Sequence, residues 1–336
     1  MGNAPGAGRL SNRRGIKLQS LILRSIKPTS RYDVTAGEFM GLLKIAFLLL
    51  LSVAGLFGFN LAFAHTPHDV AYHLEISPQS EKNRHIITVV GNNLFKSSDD
   101  GKTWKWIVSG LDNKNNAFSS LDTADHGDGE VVYLSTLGDG VYKSTDEGDS
   151  WAGVNSGLEG VSIITLHSLT EDIVFAAAGE GGLYRTTNGG EGWTRVPGVS
   201  SVIKTLQSVT HDGQQLLAGS DEGELFITRD GGASWEKLLE LEQRSSITAL
   251  AVSPGFDEDQ TFFVGSDGEG IVKTWDGGKS FTPVNSGLSD KRIRSIATSP
   301  AYRSDAVIFA STWTQGMFCS TDGGGNWQLC SEGLTT

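Results

Sequence analysis

The stretch STDEGDSW, from Ser144 to Trp151, occurs six times along this chain in slightly different form. Each copy keeps the same spacing of a hydroxyl residue, an aspartate or asparagine, a glycine and a final aromatic residue. The aromatic residues lie 42 to 47 residues apart, and self-similarity at this period indicates a solenoid or a propeller. The other copies are SSDDGKTW (97–104), TTNGGEGW (186–193), TRDGGASW (228–235), TWDGGKSF (274–281) and STDGGGNW (320–327).

Short β-type segments flank every copy of the motif. In the fifth unit, SITALAVSP (246–254) and TFFVGS (261–266) precede a third segment around Ile271-Val272, and a fourth follows the aromatic residue. Runs of this length bounded by turn residues are typical of strands. The sequence therefore predicts an all-β region of six complete four-stranded units, in which the motif is the hairpin loop between the third and fourth strands.

The residues of the motif have local structural uses. An aspartate side chain can accept hydrogen bonds from the amides of its own turn, and glycine adopts backbone angles that other residues resist. The hydroxyl residues can satisfy leftover backbone groups, and the aromatic ring can pack over the hairpin. We therefore predict a structural role for the central residue of each copy, namely Asp99, Asp146, Asn188, Asp230, Asp276 and Asp322.

The motif S-x-D-x-G-x-[TS]-W resembles the Asp-box, or BNR repeat, of sialidases, sortilin-type receptors, xyloglucan hydrolases and photosystem II assembly factors. The resemblance covers residues 65–336 and implies a β-propeller. Six complete units predict six blades, with seven blades as the alternative. In size the chain is most similar to the single propellers of the assembly-factor type. The same repeat occurs in enzymes, receptors and assembly factors, so the resemblance indicates the fold more than the function.

The first 64 residues differ in composition from the rest of the chain. Residues 1–39 are basic and are predicted to be a disordered tail or to precede the true translation start at Met40. Residues 40–64 combine Lys44, an apolar run and the sequence Ala62-Phe63-Ala64, the pattern of a secretory signal. The alternative is an uncleaved membrane anchor over residues 41–64. The propeller is therefore expected in the periplasm, outside the cell or in a compartment like the thylakoid lumen.

The net negative charge of residues 65–336, the part expected to be exported, indicates which kinds of partner this region could bind. The whole chain carries a net charge of −12, and residues 65–336 alone hold 19 basic and 37 acidic side chains. Phosphate binding depends on clustered Lys and Arg, so nucleic acid is excluded as the expected partner. An acidic surface favours a basic protein surface or cations, and it also serves solubility.

Acidic residues recur in the turn before the third strand of four successive units. The resemblance implies that this turn lies on the face where such propellers bind ligands, opposite the Asp-boxes. Turn chemistry alone also favours Asp and Gly in these positions. The sequence predicts a binding site at Asp139, Glu180, Asp221, Glu222, Asp267 and Glu269, with Glu224 in the same turn.

A catalytic set is not recognisable in the sequence. The Arg-Ile-Pro tripeptide of sialidases is absent, and the xyloglucan hydrolases of this repeat type use two propellers. No nucleophile elbow, metalloprotease helix or phosphate loop is present, so no catalytic residue and no cofactor is predicted. The leading hypothesis is a non-catalytic, exported, protein-binding propeller that acts during assembly of a membrane or envelope complex. The alternative is a glycan-acting hydrolase or a carbohydrate-binding propeller.

Two smaller predictions concern cysteine and histidine. Cys319 and Cys330 are the only cysteines and flank the last glycine turn, so an oxidising compartment would allow them to form a disulfide. Cleavage after Ala64 would leave His65 at the amino terminus, where its amine and imidazole could chelate copper with His68 or His73. The prediction is that no metal is bound, and this copper site is the alternative.

Overall fold

The computed structural model describes residues 71–76, 85–111, 117–126, 129–210 and 214–332. All of them belong to the second of two compact units, Thr66–Thr336. The predictions for residues 1–39 and 40–64 lie outside the described residues. Within the described ranges, no helix is long and apolar enough to cross a membrane.

In the part of the chain that the structure describes, six antiparallel sheets of four strands each form the blades, and within each sheet the strands pair in chain order. This arrangement confirms the predicted six-bladed, all-β architecture. Blade 1 contains β1 (Ala71–Ile76), β2 (Ile86–Val90), β3 (Asn93–Ser97) and β4 (Lys105–Ile107). Blade 2 contains β5 (Phe118–His126), β6 (Gly129–Thr136), β7 (Val141–Ser144) and β8 (Ala152–Gly153). Blade 3 contains β9 (Ile163–Ser168), β10 (Val174–Ala178), β11 (Leu183–Thr186) and β12 (Thr194–Arg195).

The second half of the chain repeats this order. Blade 4 contains β13 (Ile203–Ser208), β14 (Leu216–Ser220), β15 (Glu224–Thr228) and β16 (Glu236–Glu240). Blade 5 contains β17 (Ile247–Val252), β18 (Phe262–Ser266), β19 (Ile271–Thr274) and β20 (Thr282–Pro283). Blade 6 contains β21 (Ile293–Thr298), β22 (Ile308–Thr312), β23 (Gly316–Ser320) and β24 (Gln328–Leu329).

The position of a strand within its blade determines its burial. The second strands β10, β14 and β18 are buried at every residue, because a neighbouring blade covers each of their two faces. The fourth strands β8, β12, β20 and β24 have only two residues each, and both are exposed. Short outer strands of this kind limit unwanted edge pairing.

The hydrophobic core lies between the blades rather than within them. Five apolar clusters are formed, and each combines side chains from two consecutive blades. Phe175 of blade 3, for example, meets Trp235 of blade 4 edge to face, with ring centroids 5.8 Å apart. Such aromatic pairs stabilise by about 0.5–1.5 kcal/mol beyond the area they bury. The Asp-box aromatic residue therefore belongs to the interface with the preceding blade.

Two short helices that the sequence analysis did not anticipate follow the first strands of blades 5 and 6. They are α1 (Phe256–Asp259) and α2 (Tyr302–Asp305). Each is closed by a serine–aspartate hydrogen bond of 2.6 Å, from Ser253 Oγ to Asp259 and from Ser299 Oγ to Asp305. The same serine–aspartate hydrogen bond recurs at the same position of both blades, so the two helices occupy equivalent places.

The antiparallel strand order gives the propeller two distinct faces. The Asp-box hairpins and the connections between first and second strands share one face, which we call the Asp-box face. The hairpins between second and third strands share the other with the connections between blades, and we call it the turn face. The predicted acidic site belongs to the turn face.

Candidate functional site

The Asp-box loops form closed hydrogen-bonded units. In the second box, Asp146 accepts hydrogen bonds from Ser144 Oγ (2.8 Å), Ser150 N (2.8 Å) and Ser150 Oγ (2.6 Å). Ser144 Oγ in turn accepts a bond of 2.8 Å from Gly148 N. The other boxes repeat this network, with asparagine replacing the carboxylate at Asn188.

These internal bonds hold the Asp-box carboxylates in the charged form. Hydrogen bonds from Thr103 and Ser97 lower the pKa of Asp99 to about 2. Burial alone would raise the pKa of Asp146, but the bonds from Ser150 and Ser144 lower it below its ordinary value. Carboxylates whose acceptor positions are filled by their own loop have little capacity left for a ligand. Their geometry supports the structural role predicted for them.

The acidic residues of the second-to-third strand turns lie on the turn face and differ in their surroundings. Two of them are already engaged. Glu222 pairs with Arg244, with 3.3 Å between Oε2 and Nη2. Glu269 accepts hydrogen bonds from the amides of Gln243 (3.2 Å) and Ser245 (3.3 Å), so it ties the blade 4 to blade 5 connection to the blade 5 turn.

Three other acidic residues of these turns are exposed and uncommitted, which here means that the carboxylate has no hydrogen-bond or ion-pair partner among the described residues. The carboxylates of Glu180, Asp221 and Asp267 form no hydrogen bond or ion pair with any residue that the structure describes. The backbones of the three turns are nevertheless fixed, since Gly179 N, Asp221 N and Asp267 N each donate to a carbonyl of the preceding connection, at 2.8 to 2.9 Å. Three successive blades thus present a carboxylate on the same face.

Asp139 and Glu224 complete the predicted acidic set. Asp139 is exposed on the turn of blade 2, and its amide donates to Thr136 Oγ1 at 2.8 Å. Glu224 is half-buried at the start of β15 and pairs with Lys237 at 3.1 Å. Glu224 is therefore held in an ion pair with Lys237. Asp139 gives a fourth blade an exposed acidic residue in the same turn.

The turn face changes character at blade 6. Its turn carries Trp313, which is 59% exposed, and the Arg294 guanidinium lies 4.6 Å from the ring centroid of Trp313. Arg292 is fixed beside it by Asp290, whose carboxylate accepts the Arg292 amide at 3.0 Å. Hydrogen bonds from Thr314, followed by those from the Arg292 and Thr314 amides, lower the pKa of Asp290 to about 2. Blade 6 therefore adds cations and an aromatic surface next to the acidic turns.

A polar group on the inner strands was missed by sequence reasoning. Asp122 on β5 accepts a hydrogen bond of 2.5 Å from Ser168 N of blade 3. On β9, His167 Nε2 lies 2.6 Å from Ser208 Oγ of blade 4. Burial lowers the pKa of His167 and raises that of Asp122, although each group partly offsets the shift of the other. The imidazole is therefore neutral near pH 7.

Glu75 on β1 extends this group into blade 1. Burial, with added repulsion from the carboxylates of Asp122 and Glu130, raises its pKa to about 7. Glu75, Asp122 and His167 occupy the same register position of their blades, each opposite a buried second-strand residue. An alignment of the first strands of the repeat units would have shown that Glu75, Asp122 and His167 occupy equivalent positions. The sequence analysis considered the loops and did not make this alignment.

The histidines do not gather into a metal site within the described residues. His65 and His68 lie outside them, and His73 is half-buried on β1, where burial lowers its pKa. His85 is buried elsewhere, with its Nε2 3.3 Å from Glu130. No group of three or more His, Cys, Asp or Glu side chains capable of holding a metal occurs in the described ranges.

The predicted disulfide is not formed in the structure, where Cys319 and Cys330 are free thiols. The two thiols are neighbours, because Cys330 follows β24 and its amide bonds back to Met317 of β23 at 2.8 Å. Burial and a hydrogen bond with the Cys319 thiol raise the pKa of Cys330 to about 11, so the neutral thiol dominates at pH 7.

A concavity of about 460 Å³ lies beside the last Asp-box, away from the predicted acidic turns. Its walls are largely polar, and all of the lining residues belong to one hairpin. It therefore lies apart from the inner-strand group of Glu75, Asp122 and His167. It is lined by Cys319, Thr321, Asp322, Asn326, Trp327 and Gln328.

Comparison with known proteins supports the repeat type. A family model described as sortilin, neurotensin receptor 3, matches residues 139–267, which span the second-to-third strand turns of blades 2 to 5. No curated protein matches the chain.

Solved structures share the fold at low sequence identity. YCF48 bound to D1 peptide is 19% identical, with 77% of this chain and 85% of that chain covered and a TM-score of 0.57. YCF48 from Cyanidioschyzon merolae is 18% identical over 77% and 84% of the two chains, with a TM-score of 0.59. The GH74 xyloglucanase from Xanthomonas campestris is 14% identical over 77% and 45%, with a TM-score of 0.57. The described residues therefore form six four-stranded blades of a β-propeller, the fold that these solved structures share.

Proposed function

We propose that this propeller is a non-catalytic protein-binding module whose turn face receives a basic segment of a partner. The observation that carries the proposal is the exposed, uncommitted carboxylate that three successive blades place on one face, at Glu180, Asp221 and Asp267. Like charges held on one surface add their fields and attract a cationic partner. The solved structure of YCF48 bound to D1 peptide supports peptide binding as a use of this fold.

The neighbouring blade 6 group suggests a more specific partner. Arg294, Arg292 and Trp313 lie on the same face as the acidic turns. A segment that pairs lysine or arginine residues with one acidic or aromatic residue would match both parts of the face. We propose that the partner belongs to a membrane or envelope complex that assembles in the exported compartment, in keeping with the signal-like segment at residues 40–64.

Binding of the full chain to immobilised peptides tests this proposal. A lysine-rich peptide and an acidic peptide of the same length are the probes. Affinity for the basic peptide should fall as salt rises from 0.1 to 1 M, because the Debye length shrinks from about 10 Å to about 3 Å. The double variant Glu180→Lys, Asp221→Lys should slow association about tenfold.

The matched control reverses two exposed charges on the Asp-box face, with Glu191→Lys and Asp257→Lys. It changes the net charge by the same amount but leaves the turn face intact, so association should remain within about twofold of the unmodified chain. Equal effects of both double variants would show that only the overall charge matters. Binding that ignores salt and both double variants would contradict the proposal.

A glycan-acting hydrolase is the second candidate, and one observation favours it. Glu75, with its pKa raised to about 7, lies beside the Asp122 carboxylate on the inner strands, and a raised carboxyl can serve as a general acid in glycoside hydrolysis. The xyloglucanase structure shares the fold. Turnover of xyloglucan oligosaccharides that is abolished by Glu75→Gln would favour the hydrolase over the binding module.

A further inference from the structure

Among the described residues, five that are not glycine have a positive φ angle, and four of them belong to repeated local turns. Asp100 and Glu147 share one position of the first two Asp-boxes. Gln260 and Ala306 cap the two short helices. The fifth is Arg244, with φ +53°, in the connection between blades 4 and 5. Side chains disfavour this backbone conformation, and a residue held in it points to a constraint from its surroundings.

The backbone around Arg244 is fixed from two blades. The amides that flank it, Gln243 N and Ser245 N, both donate to Oε1 of Glu269 in blade 5, at 3.2 and 3.3 Å. On the blade 4 side, Arg244 packs so closely on Gly223 that an added Cβ there would lie 3.0 Å from the Arg244 Cα. The two neighbouring turns therefore impose the unfavourable conformation of Arg244.

Arg244 lies on the connection between the two acidic turns that carry Asp221 and Asp267. Asp221 precedes by two residues the Gly223 on which Arg244 packs. The amide of Asp267 donates to the carbonyl of Ser246, two residues after Arg244, at 2.9 Å. A cationic side chain is thus built into the connection that joins two of the three uncommitted carboxylates.

The Arg244 side chain is held more loosely than its backbone. Its guanidinium lies 3.3 Å from Glu222 (Nη2 to Oε2) and 3.4 Å from Glu240 (Nε to Oε1). Contacts between charged groups are usually about 2.7–2.9 Å long, as in the exposed pair of Arg229 with Glu236 at 2.7 Å. The side chains of Arg244 and Glu222 are 58% and 57% exposed, and exposed ion pairs contribute little free energy. A competing cation can therefore displace Arg244 from Glu222.

We propose that Arg244 is an internal cation that covers Glu222 until a basic segment of the partner replaces it. Glu222 has no other hydrogen-bond or ion-pair partner among the described residues, so displacement of Arg244 adds a fourth carboxylate to the acidic turns. The fixed backbone keeps the guanidinium within reach of Glu222, so it returns when the partner leaves. Arg244 thereby selects for segments whose positive charge competes with its own. This inference rests on the proposed binding function of the turn face.

The affinity of the full chain for the lysine-rich peptide at 0.1 M salt tests this role. Arg244→Gln removes the internal cation and should raise the affinity about threefold, because the competent fraction of the site increases. Glutamine tolerates the backbone conformation, since Gln260 adopts φ +51° in the same protein. Arg244→Lys keeps the charge, and each contact of Arg244 is an exposed single ion pair, so the affinity should stay within about 1.5-fold of the unmodified chain.

The matched control is Arg303→Gln on the Asp-box face. Arg303 is also an exposed, ion-paired arginine, with Glu258 as its partner, and its loss changes the net charge by the same amount. The affinity of this variant should stay within about 1.5-fold of the unmodified chain. In a Glu222→Gln background, Arg244→Gln should give less than about half of its gain, because the carboxylate that Arg244 covers is absent.

Equal gains from Arg244→Gln and Arg303→Gln, or a full gain in the Glu222→Gln background, would overturn the inference. An unchanged affinity of Arg244→Gln would overturn it as well, and the proposed function would still stand if binding remained sensitive to salt and to Glu180→Lys with Asp221→Lys. Peptide binding that ignores salt and every turn-face variant would contradict the proposed function and the inference together.

Discussion

The two faces of the propeller both carry repeated carboxylates, and they use them differently. On the Asp-box face, the carboxylate of Asp146 accepts three hydrogen bonds from its own hairpin. On the turn face, the carboxylates of Glu180 and Asp221 have no such donors among the described residues. The Asp-box carboxylates are therefore occupied by their own hairpins, whereas some carboxylates of the turn face have no partner among the described residues.

The largest expected effect comes from removing an Asp-box carboxylate. Asp146→Ala should lower the free energy of unfolding by about 1–3 kcal/mol, because the amide and hydroxyl of Ser150 and the Ser144 hydroxyl lose their acceptor. Denaturant titration measures the change. Affinity for a ligand of the turn face should be unaffected in the fraction that remains folded.

The matched substitution on the turn face is Asp221→Ala. Its carboxylate has no internal donor, so the free energy of unfolding should change by no more than about 0.5 kcal/mol. A loss of stability as large as that of Asp146→Ala would erase the distinction between the two faces. Loss of binding without loss of stability in Asp146→Ala would instead make the Asp-boxes binding sites.

Glu75 differs from the carboxylates of both faces, because it is half-buried and accepts no hydrogen bond from the residues that the structure describes. Its pKa is about 7 when folded and 4.5 ordinarily, so the folded state binds more protons between these values. The free energy of unfolding should therefore fall as pH rises from 4.5 to 7. After allowance for partial exposure, the loss is about 1–2 kcal/mol.

Glu75→Gln should remove this part of the pH dependence. Thermal or denaturant unfolding at pH 5 and pH 8 measures it, and Glu180→Gln on the turn face is the control with an exposed carboxylate. Identical pH profiles for the unmodified chain and Glu75→Gln would show that the inner-strand carboxyl is not perturbed.

A modest gain in stability is expected at the third Asp-box. There Asn188 replaces the aspartate, and Gly192 supplies an amide but no hydroxyl. Asn188→Asp should raise the free energy of unfolding by about 0.5–1 kcal/mol, because charge-assisted hydrogen bonds from Thr186 and Gly192 are stronger than neutral ones. A decrease would mean that this box has adapted to the neutral amide.

The fold followed from the sequence because its main determinants are local. Each Asp-box closes through bonds that span only two to four residues, such as Thr103 N to Asp99, so a short motif was sufficient to recognise the hairpin. The site was only partly predictable. The turns were placed correctly in the repeat, but nothing local indicated that Glu269 is used by the Gln243 and Ser245 amides.

The sequence by itself determined the repeat, the hairpins and the four-stranded units that the described residues form, since these depend on contacts within one unit. Only the tertiary structure decided which carboxylates stay uncommitted, which polar side chains meet on the inner strands and which blade faces are left exposed. Asp122, His167 and Ser208 come together from three blades. Such contacts join residues of different repeat units, so their partners are set by the packing of the blades and not by any local pattern.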